Sequence, residues 1–89
     1  MILEADKKSI ISIAEKYHAS KVLLFGSSIK PGMEGSDIDL AVEGIKPSEF
    51  FQFYGELLFA LSKPVDMIDL TRKSKFTQLI SKEGVLIYG

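Results

Sequence analysis

The stretch Ser36-Asp37-Ile38-Asp39-Leu40-Ala41-Val42 decides how this chain is read. Its start alternates acidic and aliphatic residues. Successive side chains of a strand take opposite faces, so Asp37 and Asp39 point one way and Ile38, Leu40 and Val42 the other. The aliphatic set predicts a face turned into a core. The acidic set predicts two carboxylates on a rigid element, their Cα atoms roughly 6–7 Å apart from the strand rise. Such a pair suits a hard divalent cation like Mg2+, which takes carboxylate oxygens and substrate phosphates as ligands. An isolated Asp-x-Asp is more often the wet face of an edge strand, so the surroundings carry the argument.

Upstream, Val22-Leu23-Leu24-Phe25 reads as a short buried strand that Gly26 ends. A glycine at such a corner lets backbone N–H groups approach a phosphate without a Cβ in the way. Ser27 adds a hydroxyl that can donate to a phosphate oxygen. Residues 26–36 then form a loop with one helical turn at its start and a type II turn at Lys30-Pro31-Gly32-Met33. Downstream, Val65-Asp66-Met67-Ile68-Asp69-Leu70 is a third strand. Asp66 and Asp69 are three apart and face opposite ways, so only one can join Asp37 and Asp39. Each shares its face with apolar residues, and the residues themselves leave the choice open. An acid in an apolar strand is costly unless paired or metal-bound, which makes at least one of them a candidate for function. Three converging carboxylates would make a two-metal site for phosphoryl transfer, with one carboxylate able to accept the acceptor's proton.

The remaining elements complete a small sheet with helices against it. Residues 3–18 read as a helix, with Ile10, Ile13, Ala14 and Tyr17 at helical spacing. Pro47 opens a second helix running to about Leu61, with a stripe of Phe50, Tyr54, Leu57, Leu58 and Leu61. Thr71 or Ser74 caps a last helix carrying Phe76, Leu79 and Ile80, and Gly84 follows it at the C′ position. Val85-Leu86-Ile87-Tyr88 closes as a strand. The order α-β-β-α-β-α-β predicts an α/β (α+β) domain, a small mixed sheet with packed helices, over residues 1–89.

Composition narrows the function classes. Eleven basic residues against twelve acidic ones leave no basic excess, so a nucleic-acid partner is not expected. The chain has no cysteine, hence no disulfide and no thiolate metal site. The early charges Glu4, Asp6, Lys7 and Lys8 do not fit a signal peptide, and no apolar run reaches membrane-spanning length. A cytoplasmic setting is the expectation. His18, the one histidine, falls at the end of the first helix and suits the dipole there rather than catalysis. Arg72 reads as a surface residue. The cluster Phe50-Phe51-Gln52-Phe53-Tyr54 is more aromatic than one buried face can absorb, and part of it is a candidate protein-binding patch.

Phe25-Gly26-Ser27, Ser36-Asp37-Ile38-Asp39-Leu40 and Val65-Asp66-Met67-Ile68 together resemble the minimal nucleotidyltransferase (MNT) family of the DNA polymerase β superfold. The likeness covers almost the whole chain. It implies that Gly26 and Ser27 contact a triphosphate, that Asp37 and Asp39 bind metal, and that Asp66, following a valine at its strand's start, is the third acid. Asp37, Asp39 and Asp66 are then the catalytic and metal-binding set. Lys30 takes the place of the family's arginine, keeping the charge but losing the bidentate fork. Ser36 is read chiefly as steadying the strand entry and is carried as a nucleotide-binding candidate. Nine residues separate Ser27 from Asp37, one fewer than is usual in the family.

By this resemblance the chain is a Mg2+-dependent enzyme with two ions. It moves a nucleoside monophosphate, AMP from ATP, onto a hydroxyl. The hydroxyl belongs to a tyrosine of a HEPN-domain toxin, so the chain acts as an antitoxin; a homodimer is also compatible. Two other readings fit the same residues. One is an MNT-fold binding module that neutralises its partner by contact alone. The other is a subunit of a small-molecule, antibiotic-type nucleotidyltransferase.

Overall fold

The computed structural model describes residues 2–29 and 37–89. Helix α1, Glu4–Lys16, follows an extended Leu3 that offers no side-chain cap. Glu4 and Asp6 in its first turn oppose the positive end of the helix dipole instead. The helix stops at Tyr17, after which His18 adopts a left-handed conformation, φ 58°. That turn is closed by Ala19 N–H donating to the Ala14 carbonyl at 2.9 Å. Strand β1 spans Lys21–Leu24, and a 3-10 turn follows at Gly26–Ile29. Strand β2 is Ile38–Glu43. A 3-10 turn at Pro47–Glu49 leads into α2, Phe50–Ala60, and then β3, Val65–Asp69. Helix α3, Lys75–Glu83, and strand β4, Val85–Tyr88, complete the order.

The four strands form one mixed sheet in the order β3-β2-β1-β4. Strand β1 runs antiparallel to both β2 and β4, while β2 and β3 are parallel. One face carries Val22, Leu24, Ile38, Leu40, Val42 and Val65, packed with Ile10, Ile13, Phe53 and Leu57 of α1 and α2. This is the main core, and it uses the aliphatic half of the alternating stretch. The other face carries Leu23, Ala41 and Leu70 beneath Ile80 of α3, with Phe25 and Ile68 alongside. Helix α3 therefore covers only part of that face. The ends of β2 and β3 bearing Asp39 and Asp66 have the same parity as Ala41 and Ile68 but carry acids instead.

Four details depart from, or add to, what the residues alone predict. The buried line of α2 is Phe53 and Leu57, whereas Leu58 is 42% exposed and falls outside the expected stripe. Consecutive helical residues lie about 100° apart, so a helix turned to seat Leu57 swings Leu58 out. Gly84 ends α3 with extended backbone, φ −66° and ψ 156°, rather than as a left-handed cap. Its lack of a side chain is needed for space, since a Cβ would lie 3.1 Å from the Leu24 carbonyl oxygen and 3.2 Å from Leu23 Cβ. Asp6 is buried, its carboxylate accepting from Ser62 N–H at 3.1 Å and the Ser62 hydroxyl at 2.5 Å, which ties α1 to the end of α2. Of the two candidate caps for α3, Ser74 serves, in a reciprocal box with Thr77. Among the described residues no helix is long and apolar enough to cross a membrane.

Candidate active site

Strand β2 begins at Ile38, whose N–H donates to the Pro64 carbonyl at 2.8 Å. Asp37 thus stands at the mouth of the strand, half-buried, one residue ahead of it. Asp39 is the second residue of the strand and is also half-buried. The parallel register sets Asp39 directly beside Asp66 and sets Val42 beside Asp69. In-register neighbours on adjacent strands share a face and sit about 5 Å apart. Asp39 and Asp66 are therefore side by side, on the face that α3 leaves partly open. Asp69 belongs to the opposite parity, and its Oδ1 accepts from the Thr71 N–H at 2.9 Å, closing the turn after β3.

The corner after β1 presses on Asp39. Phe25 N–H donates to the Asp39 carbonyl at 3.1 Å, and the Ser28 hydroxyl oxygen accepts from the Asp39 N–H at 2.9 Å. Both backbone polar groups of Asp39 are thus fixed from one side. Ser28 is buried and lies outside the sequence motifs. The only signal for it was a second serine after glycine, a common turn composition. Gly26 has φ +62°, a left-handed conformation that glycine adopts without strain. A Cβ on Gly26 would lie 2.6 Å from Asp39 Oδ2. The glycine keeps open the space immediately beside that carboxylate. Ser27 lies in the 3-10 turn with Gly26. Lys30, Ser36 and the expected turn at 30–33 lie outside the described residues.

The donor set suits Mg2+. Two carboxylates stand together on one rigid edge, and the adjoining space is held clear of side-chain carbon. Among the described residues, no group of three or more His, Cys, Asp or Glu side chains is arranged to hold a metal ion by itself. Mg2+ is commonly held by one or two carboxylates plus substrate phosphates rather than by an all-protein cage. The acid pair fits that mode, with phosphate oxygens and water completing the shell.

On the other side of the sheet, the Tyr17 hydroxyl donates to Glu56 Oε2, and Lys16 Nζ meets Glu56 Oε1 at 3.0 Å. The hydrogen bond to Glu56, with some burial, pushes the Tyr17 hydroxyl up to about 12. The same bond, with help from Lys16, holds the Glu56 carboxyl below its ordinary value. This cluster clasps α1 to α2 and lies on the opposite side of the sheet from the acid pair.

No curated protein matches the chain in sequence. Solved structures do match it in fold. One is a chain of the toxin–antitoxin pair MntA-HepT, 24% identical with a TM-score of 0.72, the match covering 98% of this chain and 73% of that one. Another is a toxin–antitoxin with AMP-PNP, 26% identical with a TM-score of 0.74, covering 93% and 73%. A third, from Shewanella oneidensis, is a tri-AMPylated HEPN toxin in complex with MNT antitoxin, 26% identical with a TM-score of 0.71, covering 94% and 70%. Residues 8–89, which include every acid and glycine of the site, match a family as well as a fold, and the chain belongs to the polymerase beta nucleotidyltransferase family.

Proposed function

We propose that residues 1–89 act as one Mg2+-dependent nucleotidyltransferase domain that moves AMP from ATP onto a tyrosine hydroxyl of a HEPN-type toxin, and so silence it as an antitoxin. The observation that carries this reading is the pairing of Asp39 with Asp66 beside the space that Gly26 keeps open. Asp39 and Asp66, side by side, would hold the metal together with phosphate oxygens and water, with Asp37 at the mouth of β2 as the third acid of the set. When bound, Mg2+ neutralises phosphate charge and eases ionisation of the acceptor hydroxyl. Gly26 admits the triphosphate to the Asp39 edge. Ser27, Lys30 and Ser36 are the chain's own groups for orienting it. A carboxylate of the acid set accepts the acceptor's proton. The acceptor oxygen bonds to the α-phosphorus, the bond from that phosphorus to the bridging oxygen breaks, and pyrophosphate leaves.

The acceptor comes from a partner protein. Helix α2 carries Phe51 at 86% and Phe59 at 95% exposure, with Leu58 on the same side, and such an apolar face suits a protein partner. The MNT and HEPN pairing seen in the related structures supports a toxin as that partner. Co-expression with a HEPN-type protein, followed by mass spectrometry, tests the reading. The expected result is a gain of one or more AMP units on a partner tyrosine, lost with Asp39→Asn. A second reading, neutralisation by contact alone, draws on the loop departures: Lys30 in place of the family's arginine and nine residues between Ser27 and Asp37. It predicts that Asp39→Asn and Lys30→Ala both still protect cells fully. Full protection by both would sink the enzymatic reading.

A further inference from the structure

The apolar stripe of α3 runs past what the core uses. Phe76, Leu79, Ile80 and Glu83 fall at helical spacing on one face. Ile80 is buried, but Phe76 is 55% and Leu79 51% exposed. Facing them are Phe25, Gly26 and Ile29, and together these residues wall a cleft of about 290 Å3. Pockets for small organic ligands begin at roughly 300 Å3, so the cleft is of a size for one flat ring system. Its chemistry is apolar and aromatic. Among its described lining residues the one charged group is Glu83, which can accept a hydrogen bond but not donate one.

Gly26 belongs both to this cleft and to the wall of the acid site, since its missing Cβ would touch the Asp39 carboxylate. In a nucleoside triphosphate the base is joined to the α-phosphate through one ribose. A base pocket must therefore border the phosphate corner, and Gly26 is the residue this cleft shares with that corner. Resting on the nucleotidyltransferase reading above, the geometry points to a binding site for the donor's nucleobase between β1 and α3, with Phe76 as the residue that selects it. Selection works by stacking and apolar contact on the base's face, not by reading its edge. Every base has a π-face, so adenine and guanine are accepted similarly, and the smaller ring of a pyrimidine is held less well. Phe76 stands outside all three sequence motifs, which is why motif spacing does not reveal it.

The test measures binding of ATP, GTP, CTP and inorganic tripolyphosphate, each with Mg2+, to the intact chain and to Phe76→Ala, Leu79→Ala and Phe76→Trp. Phe76 and Leu79 are half-exposed, so the variants should fold, and thermal melting checks this. Wild type should bind ATP and GTP within about threefold of each other, and CTP more weakly. Phe76→Ala should weaken ATP roughly tenfold and leave tripolyphosphate unchanged, because only the stacked base loses a partner. Leu79→Ala should show the same pattern less strongly, and Phe76→Trp should retain ATP. Unchanged ATP affinity in Phe76→Ala would overturn the base site while leaving the nucleotidyltransferase reading intact. Equal weakening of ATP and tripolyphosphate would also overturn it. A wild-type chain that binds neither ATP nor tripolyphosphate would overturn both.

Discussion

Replacing Gly26 with alanine should separate the chain's stability from its chemistry. The residue sits at φ +62°, where an alanine pays the left-handed penalty of about 1–2 kcal/mol. Its new Cβ would fall 2.6 Å from Asp39 Oδ2. That oxygen is the end of a side chain and can rotate aside, so the clash itself adds little to the stability loss. In a domain this small the total should lower the melting temperature by roughly 5–15 °C. The chemical cost should be larger. The carboxylate is displaced from its place beside Asp66, and misplacement of a reacting group by about 1 Å can cost about 100-fold in rate. Gly44→Ala is the control. Its φ is +92°, and a Cβ would lie 2.7 Å from the Ser20 backbone nitrogen, far from the acids in the fold. It should melt early yet transfer AMP normally per folded molecule. The assay is labelled-AMP transfer to a co-purified partner, at a temperature well below both melting points. Full transfer by Gly26→Ala, or an equal loss in Gly44→Ala, would refute the reasoning.

The other predictions rest on single contacts. Ser28→Ala removes the acceptor for the Asp39 N–H and should cost about 1–2 kcal/mol along with Mg2+-ATP affinity; an unchanged melting temperature would mean that water replaces the hydroxyl. Asp66→Asn should abolish transfer without loss of stability, because it relieves repulsion from Asp39, whereas Asp69→Asn should leave transfer intact and only loosen the turn to Thr71; reversed phenotypes would exchange the two roles. The Glu56 carboxyl is held low in the fold, so its stabilisation is complete above its ordinary value of 4.5 and is lost as pH falls through the lowered value. Tyr17 is raised from 10.0 to about 12, so its contribution is complete below 10.0 and lost as pH rises through about 12. The melting difference between wild type and Glu56→Gln should therefore be widest between these limits and narrow in acid; a difference that grows in acid would contradict the clasp.

Much of this protein was legible in its residues because the relevant physics is local. Alternation along residues 37–42 fixed which side chains face the core, since strand side chains have a period of two whatever lies around them. The leading helix and the proline before α2 were legible for the same kind of reason, whereas the choice of Ser74 over Thr71 as the cap of α3 came from the structure. What only the tertiary structure decided depends on contacts between distant segments. Within one strand nothing distinguishes the places of Asp66 and Asp69; the parallel register of β2 and β3 does, by setting Asp66 beside Asp39 and Asp69 beside Val42. The sheet face that looked unsuitable for an acid is divided by α3, which covers Ile68 and Leu70 and leaves the Asp66 end clear. The rotation of α2, the grip of Ser28 on Asp39 and the closeness of Gly26 to its carboxylate follow from packing between segments as well. Sequence periodicity records the direction of a side chain relative to its own backbone, and it carries no information about which strand or helix will lie alongside.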